Sequence, residues 1–174
     1  TITFGLGVSG VFALVCALAP GDVTVMLPVP SALVRSVGVA MLLLLAAYTA
    51  VNAIRRSPVN IRGTLIPLPG LRMTVLQFLL AGVDLTLASA VLYVLLPEGA
   101  NVPFAAFLGL YSVATVVAIL SHVPGGIGVF EAVLISTMPG ITAHDLLASI
   151  LAYRVLYYLL PLSISAVLLA GHEL

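Results

Sequence analysis

The fold turns on SHVPGGIGVFEAVL, residues 121–134. It breaks a run of Val, Leu, Ile and Ala with a His, a Pro, three Gly and a Glu. Pro124 has no backbone N–H, and Gly125, Gly126 and Gly128 reach conformations closed to other residues. A helix entering this segment stops there. The apolar run that follows, 127–138, would extend only about 18 Å as a helix, against a hydrocarbon layer of roughly 30 Å. Irregular backbone at membrane depth is tolerated only where it is buried in protein or lines water. The segment reads as a broken or re-entrant helix, with a half-helix starting near Ile127. The alternative is a tight interfacial turn between two ordinary helices.

Working outward, block four (103–121) and block six (145–170) flank the break. Block three is 71–96, closed by Pro97-Glu98-Gly99, and block two is 31–54. Block one is 2–19, closed by Pro20-Gly21-Asp22. All five are long enough to span. Barrel strands would alternate polar and apolar residues, and these blocks do not. The expected fold is all-α, a polytopic transmembrane helical bundle broken around 121–138. Composition agrees. Of 174 residues, 62% are hydrophobic and only 7% charged, where a soluble domain carries about 25% charged residues. Six basic and six acidic residues cancel, so there is no basic footprint for nucleic acid. The single Cys16 cannot form an internal disulfide.

The opening Thr1-Ile2-Thr3-Phe4 has no Met and no basic n-region, so no signal peptide is expected. Turn residues fall between blocks at Ser57-Pro58, at Pro67-Leu68-Pro69-Gly70 and at 97–101. Arg55, Arg56, Arg62 and Arg72 crowd the 55–72 connection, whereas 97–102 holds Glu98 and no base. The positive-inside rule puts 55–72 in the cytoplasm.

Few polar residues interrupt the blocks. Asp84 lies mid-way along block three, and Gln77, seven residues earlier, shares its face. Glu131 lies one turn into the half-helix. Arg154 is followed at +3, +4 and +7 by Tyr157, Tyr158 and Pro161. A charge at a helix centre costs about 2.5–3.5 kcal/mol on insertion scales, and intramembrane ionisable residues point to function. Two readings coexist: a structural salt bridge from Arg154 to Asp84 or Glu131, and a polar cavity for a charged substrate. The free N–H groups at a half-helix start suit an anion such as a lipid phosphate. Pro161 is expected to kink block six.

No metal spacing links His122, His144, Glu131 and Asp145, and the two His read as interface residues. Gly126-Ile127-Gly128 lacks the third Gly and the strand of a dinucleotide fingerprint. There is no nucleophile elbow. No catalytic site and no cofactor are expected within this span.

SHVPGGIGVFE, followed by LLASILAYRVLYYLLPL (146–162), resembles the membrane domain of the bacterial lysylphosphatidylglycerol synthetase/flippases, the multiple peptide resistance factor family. QFLLAGVDLTLASAVLYVLLP (77–97) and TFGLG (3–7) carry the resemblance further. It implies a piece of a longer protein, with helices before this region and a cytosolic aminoacyltransferase domain after it. An enzyme reading, phosphatidylglycerol lysyltransferase, belongs at most to that parent. The implied function is translocation of lysyl- or other aminoacyl-phosphatidylglycerol from the inner to the outer leaflet of the bacterial inner membrane. That display repels cationic antimicrobial peptides. By resemblance Asp84, Glu131 and Arg154 fall at the polar positions of that domain; with Gly125 and Gly126 at the helix start, and Gln77 and Tyr157 on the faces of Asp84 and Arg154, they are the expected headgroup residues. The implied partners are an anionic or aminoacylated phospholipid, the lipid bilayer and the rest of the parent chain, with a homo-oligomer left open. A non-transporting scaffold for a lipid synthase and a transporter of another charged solute are the alternatives.

Overall fold

A computed structural model describes residues 2–24, 29–54, 59–61, 64–66, 71–138 and 140–172. The apolar blocks form helices α1 (Ile2–Leu18), α3 (Ser31–Ile54), α4 (Leu71–Val94), α5 (Phe104–Leu120) and α6 (Val129–Thr137). Block six forms α7 (Ala143–Arg154) and α8 (Leu160–His172), joined by a π turn at Val155–Leu159. Among the described residues, Ser31–Val51, Leu71–Val94 and Ala143–Gly171 are long and apolar enough to cross a membrane. The chain is a multi-pass helical membrane bundle.

Two local features differ from expectation. Pro20 does not simply close block one. It starts a one-turn helix, α2 (Pro20–Thr24), because proline lacks only an N–H that the first helical position leaves unused. The 55–72 connection contains a two-stranded antiparallel ladder, β1 (Val59–Ile61) with β2 (Thr64–Ile66). Arg55, Arg56, Arg62, Ser57-Pro58 and 67–70 lie outside the described residues.

Lipid tails are as apolar as leucine, so close packing rather than hydrophobic burial holds membrane helices together. Small residues allow that approach. A Cβ on Gly7 of α1 would collide with Ala81 of α4. One on Gly38 of α3 would lie 2.6–2.8 Å from Ala17, Ala13 and Cys16 of α1. The helix α1 is thereby clamped between α3 and α4. A second core joins Leu85, Ala88 and Leu92 of α4 to Phe107 and Tyr111 of α5, Leu134 of α6 and Ile150 of α7. The fully buried hydroxyls of Ser89 and Ser112 donate to their own helices, at Thr86 O (2.9 Å) and Leu108 O (2.7 Å).

The break folds the chain back on itself. Gly126 lies against Ala118 of α5, where an added Cβ would come within 2.6 Å. Four residues later Phe130 stands 5.3 Å, ring to ring, from Tyr111, seven residues back along α5. The helix α6 therefore climbs the face of α5 that the chain has just descended. At 9 residues it rises only about 14 Å. The pair α5–α6 is a helical hairpin, and α6 is too short to cross a membrane by itself.

Candidate functional site

The backbone of the break builds one wall of the site. Val123 is extended, Pro124–Gly126 make one 3-10 turn, and Gly125, Gly126 and Gly128 take φ of 66°, 61° and 86°. These values suit glycine and strain a side chain. The half-helix starts at Val129 rather than near Ile127, because Ile127 is extended and Gly128 is left-handed. Its positive end already holds an acid of the chain. Glu131 Oε2 accepts the Gly128 N–H at 2.7 Å, as an acid three residues into a helix does in a capping box. The protein's own carboxylate thus takes one of the N–H groups at this helix start.

The other oxygen, Oε1, lies 2.6 Å from Nη2 of Arg154, and the two side chains are only 14% and 23% exposed. Of the two salt bridges open to Arg154 on sequence, the structure forms the one with Glu131. It ties the start of α6 to the end of α7. Asp84 pairs differently: Tyr157 donates its hydroxyl hydrogen to Oδ1 at 2.6 Å, across 73 positions of chain. Among the described residues Oδ2 of Asp84 has no hydrogen-bond partner.

These groups meet around a half-open cavity of about 620 Å³. Asp84, Arg154, Tyr157, Gly125 and Gly126 line it. Glu131 does not, and acts on the cavity through Arg154. Gln77 lies elsewhere, facing Leu6, Tyr48, Thr74 and Phe78, with Oε1 buried and unpaired. It shares a face with Asp84, but seven residues place it about 10 Å further along α4, under α1 and α3. Pro161 also departs from expectation. The π turn holds one residue more than an α turn, with the Leu160 N–H reaching Val155 O. That rotates Pro161 off the Arg154 face, while Tyr157 and Tyr158 stay on the cavity. Such a turn also relieves the clash a proline ring makes one turn upstream.

Sequence reasoning missed several lining residues. Tyr111 and Tyr153 share a buried hydroxyl–hydroxyl hydrogen bond of 2.6 Å, and Tyr153 stacks on Tyr157 at 5.4 Å and 17°. His122, read as an interface residue, also lines the cavity. Tyr153 adjoins Arg154 and His122 adjoins the break, and those adjacencies were the available signals. Tyr111 carried none. Counting along α4, Asp84 is about 20 Å from Leu71 and about 15 Å from Val94. Asp84 therefore lies near the middle of a helix long enough to cross a membrane. Among the described residues no three of His, Cys, Asp and Glu converge as metal ligands.

The chain is 33% identical over 174 residues to an uncharacterised Synechocystis protein, slr0712, covering 99% of this chain and 54% of that one. It is 32% identical over 136 residues to the inner membrane protein YbhN of Escherichia coli, covering 76% and 42%. It is 30% identical over 93 residues to a phosphatidylglycerol lysyltransferase of Staphylococcus xylosus, covering 52% and 11%. The chain is a homologue of the phosphatidylglycerol lysyltransferases. With YbhN among its relatives, it is a multi-pass protein of the bacterial inner membrane. It spans about half the length of the Synechocystis and Escherichia relatives and a small part of the lysyltransferase. No protein-family model matches it.

Proposed function

We propose that this chain is part of a flippase domain that carries aminoacylated phosphatidylglycerol across the inner membrane. The observation that carries the reading is the charge of the cavity. Asp84, Glu131 and Arg154 leave a formal charge of −1 beside an open carboxylate oxygen. Lysylphosphatidylglycerol bears one phosphate and two ammonium groups, a net +1, and complements it. An ammonium binds Oδ2 of Asp84. Arg154 keeps N–H donors beyond the one given to Glu131, and these meet the phosphate. Tyrosine rings flank the path, where a cation gains about 0.5–2 kcal/mol over a ring face. The headgroup then passes inside protein, and the acyl tails remain in lipid beside the exposed α8. Display of the lipid on the outer leaflet lowers negative surface charge and repels cationic peptides.

The test is leaflet-resolved. In cells that make lysylphosphatidylglycerol, Asp84→Asn should lower the fraction reached by an impermeant amine-reactive label and leave total lipid constant. An unchanged leaflet distribution, with the variant folded and in the membrane, sinks the reading. A second reading, another ammonium-bearing lipid, is favoured by one fact: the two relatives sharing most of the chain's length are not named lysyltransferases. Repeating the assay with phosphatidylethanolamine separates the two.

A further inference from the structure

A second cavity lies on the face of α4 turned away from Asp84. It is a groove of about 630 Å³ between α1, α3 and α4, and it shares no lining residue with the Asp84 cavity. Gly7 and Gly10 of α1, Leu45 and Thr49 of α3, and Gly82 and Thr86 of α4 line it. The two hydroxyls are spent on their own helices, Thr49 donating to Ala46 O at 2.8 Å and Thr86 to Gly82 O at 2.7 Å. Among the described residues no charged one lines it. The wall offers nothing to a polar headgroup and suits hydrocarbon.

Two glycines keep the groove open. Gly7 is required by its close approach to Ala81, but Gly10 and Gly82 have room. An added Cβ would sit at ordinary contact distance, 3.6 Å from Leu45 and 3.5 Å from Val11. Helix packing does not demand glycine there, and glycine costs a helix interior about 1 kcal/mol against alanine. What the missing side chains leave is depth. An unfilled slot forfeits dispersion contacts along its whole lining, and a slender chain restores them.

The groove also has a length and a charged end. Along α4 it runs from Phe78 to Leu87, about 14 Å, close to one leaflet of a roughly 30 Å hydrocarbon layer. Arg72, Leu79 and Thr86 are spaced by seven, so they share one face of α4. Leu79 and Thr86 line the groove, which puts Arg72 in line with it, about 10 Å before Leu79 and at the helix start. Arg72 is exposed and forms no ion pair among the described residues. An apolar slot one leaflet deep, with an unpaired guanidinium in line at its outer end, complements a phospholipid. The acyl chain fits the slot and the phosphate meets Arg72.

We propose that this groove is a resident site for an anionic phospholipid of the leaflet on the Arg72 side, separate from the Asp84 cavity. The bound tail fills the joint between α1, α3 and α4. Lipid tails are as apolar as the slot, so packing holds the chain and the guanidinium selects the headgroup. A phosphatidylglycerol headgroup brings a net −1 to Arg72, whereas a zwitterionic one brings its own ammonium beside the phosphate. The site stands whether or not the cavity across α4 carries aminoacylated lipid.

The test uses the full-length protein in nanodiscs of phosphatidylglycerol and phosphatidylcholine. Each lipid in turn carries a photoreactive diazirine midway along one acyl chain, and the labelled residues are read by mass spectrometry. Labelled phosphatidylglycerol should mark the groove, at 42–49 and 78–87, several-fold above the exposed face of α8. Labelled phosphatidylcholine should mark the groove about fivefold less, the worth of one basic side chain against an anionic lipid. Arg72→Gln should remove that preference and keep the residual labelling. Ala46→Phe, at an exposed lining position, should fill the groove and abolish labelling there by both lipids. Asp84→Asn should change none of this. Equal labelling of groove and α8, or a lipid preference that survives in R72Q, overturns the proposal. Cross-linking of the groove to another helix of the protein also overturns it, since the groove is then a helix seat. The headgroup reading is decided separately, by leaflet-resolved lipid display.

Discussion

Glu131 and Asp84 are two carboxylates near the middle of the same bundle, and their surroundings differ. Both oxygens of Glu131 are engaged, one by the Gly128 N–H and one by Arg154. Asp84 has one oxygen engaged by a tyrosine hydroxyl and faces a cavity. An acid surrounded by donors holds structure together. An acid with an oxygen left over is available to a ligand. Both cost the same to insert, so insertion energetics cannot tell them apart, and only the count of satisfied lone pairs does.

The comparison is broken most severely at Glu131. Glu131→Gln keeps a capping amide oxygen for Gly128 but strands the Arg154 charge. It should cost about 3 kcal/mol, the lower end for breaking a buried pair, measured as thermal or denaturant unfolding in detergent. Removing both charges in E131Q/R154M should recover most of that loss, since an apolar replacement of a buried pair is often neutral. If E131Q unfolds like wild type, the structural role assigned to Glu131 is wrong. Next comes the break that places both acids. Gly126→Ala adds a Cβ within 2.6 Å of Ala118 at φ 61° and should cost about 2 kcal/mol. Gly128→Ala meets open space and should cost only its backbone strain, about 1 kcal/mol. Equal effects would show that contact with α5 does not hold the hairpin.

At Asp84 the expected pattern reverses. Asp84→Asn should change stability by less than about 1 kcal/mol, as expected of an exposed polar group, while abolishing lipid display. A large stability loss would move Asp84 into the structural class with Glu131. The smallest effect is expected from Tyr157→Phe, which keeps the ring and removes the hydroxyl. Headgroup affinity should change about threefold, because one solvent-reachable hydrogen bond is worth roughly 0.5–1.5 kcal/mol.

Much of this was legible in the sequence because the signals were long or absolute. Uninterrupted apolar runs gave α3 and α4 nearly to the residue. Proline and glycines at 124–128 marked a break that no helix passes. The Arg154–Glu131 pair was one of two bridges the charges allowed, and geometry chose it. What escaped depended on depth or on distant pairing. Periodicity put Gln77 on the face of Asp84 but said nothing of position along the axis. Tyr111 and Tyr153 are 42 residues apart, and nothing local announces their bond. The capping role of Glu131 is readable from its place three residues after Gly128, but a bare helix end attracts any anion, and sequence does not say which one reaches it. Pro161 predicted a disturbance and not its kind, since a kink and a π turn both answer a missing N–H.

The π turn between Arg154 and Pro161 makes the arrangement of tyrosines a matter of counting rather than of chemistry. Deleting any one residue from 155–159 would remove the extra residue of the turn and restore α-helical register, at the cost of the hydrogen bond that Pro161 cannot donate. It would also turn all that follows by about 100° about the helix axis. Relatives that keep every residue type of the cavity but differ there by a single-residue gap would therefore hold a different cavity. Comparison by substitution alone would score them as the same.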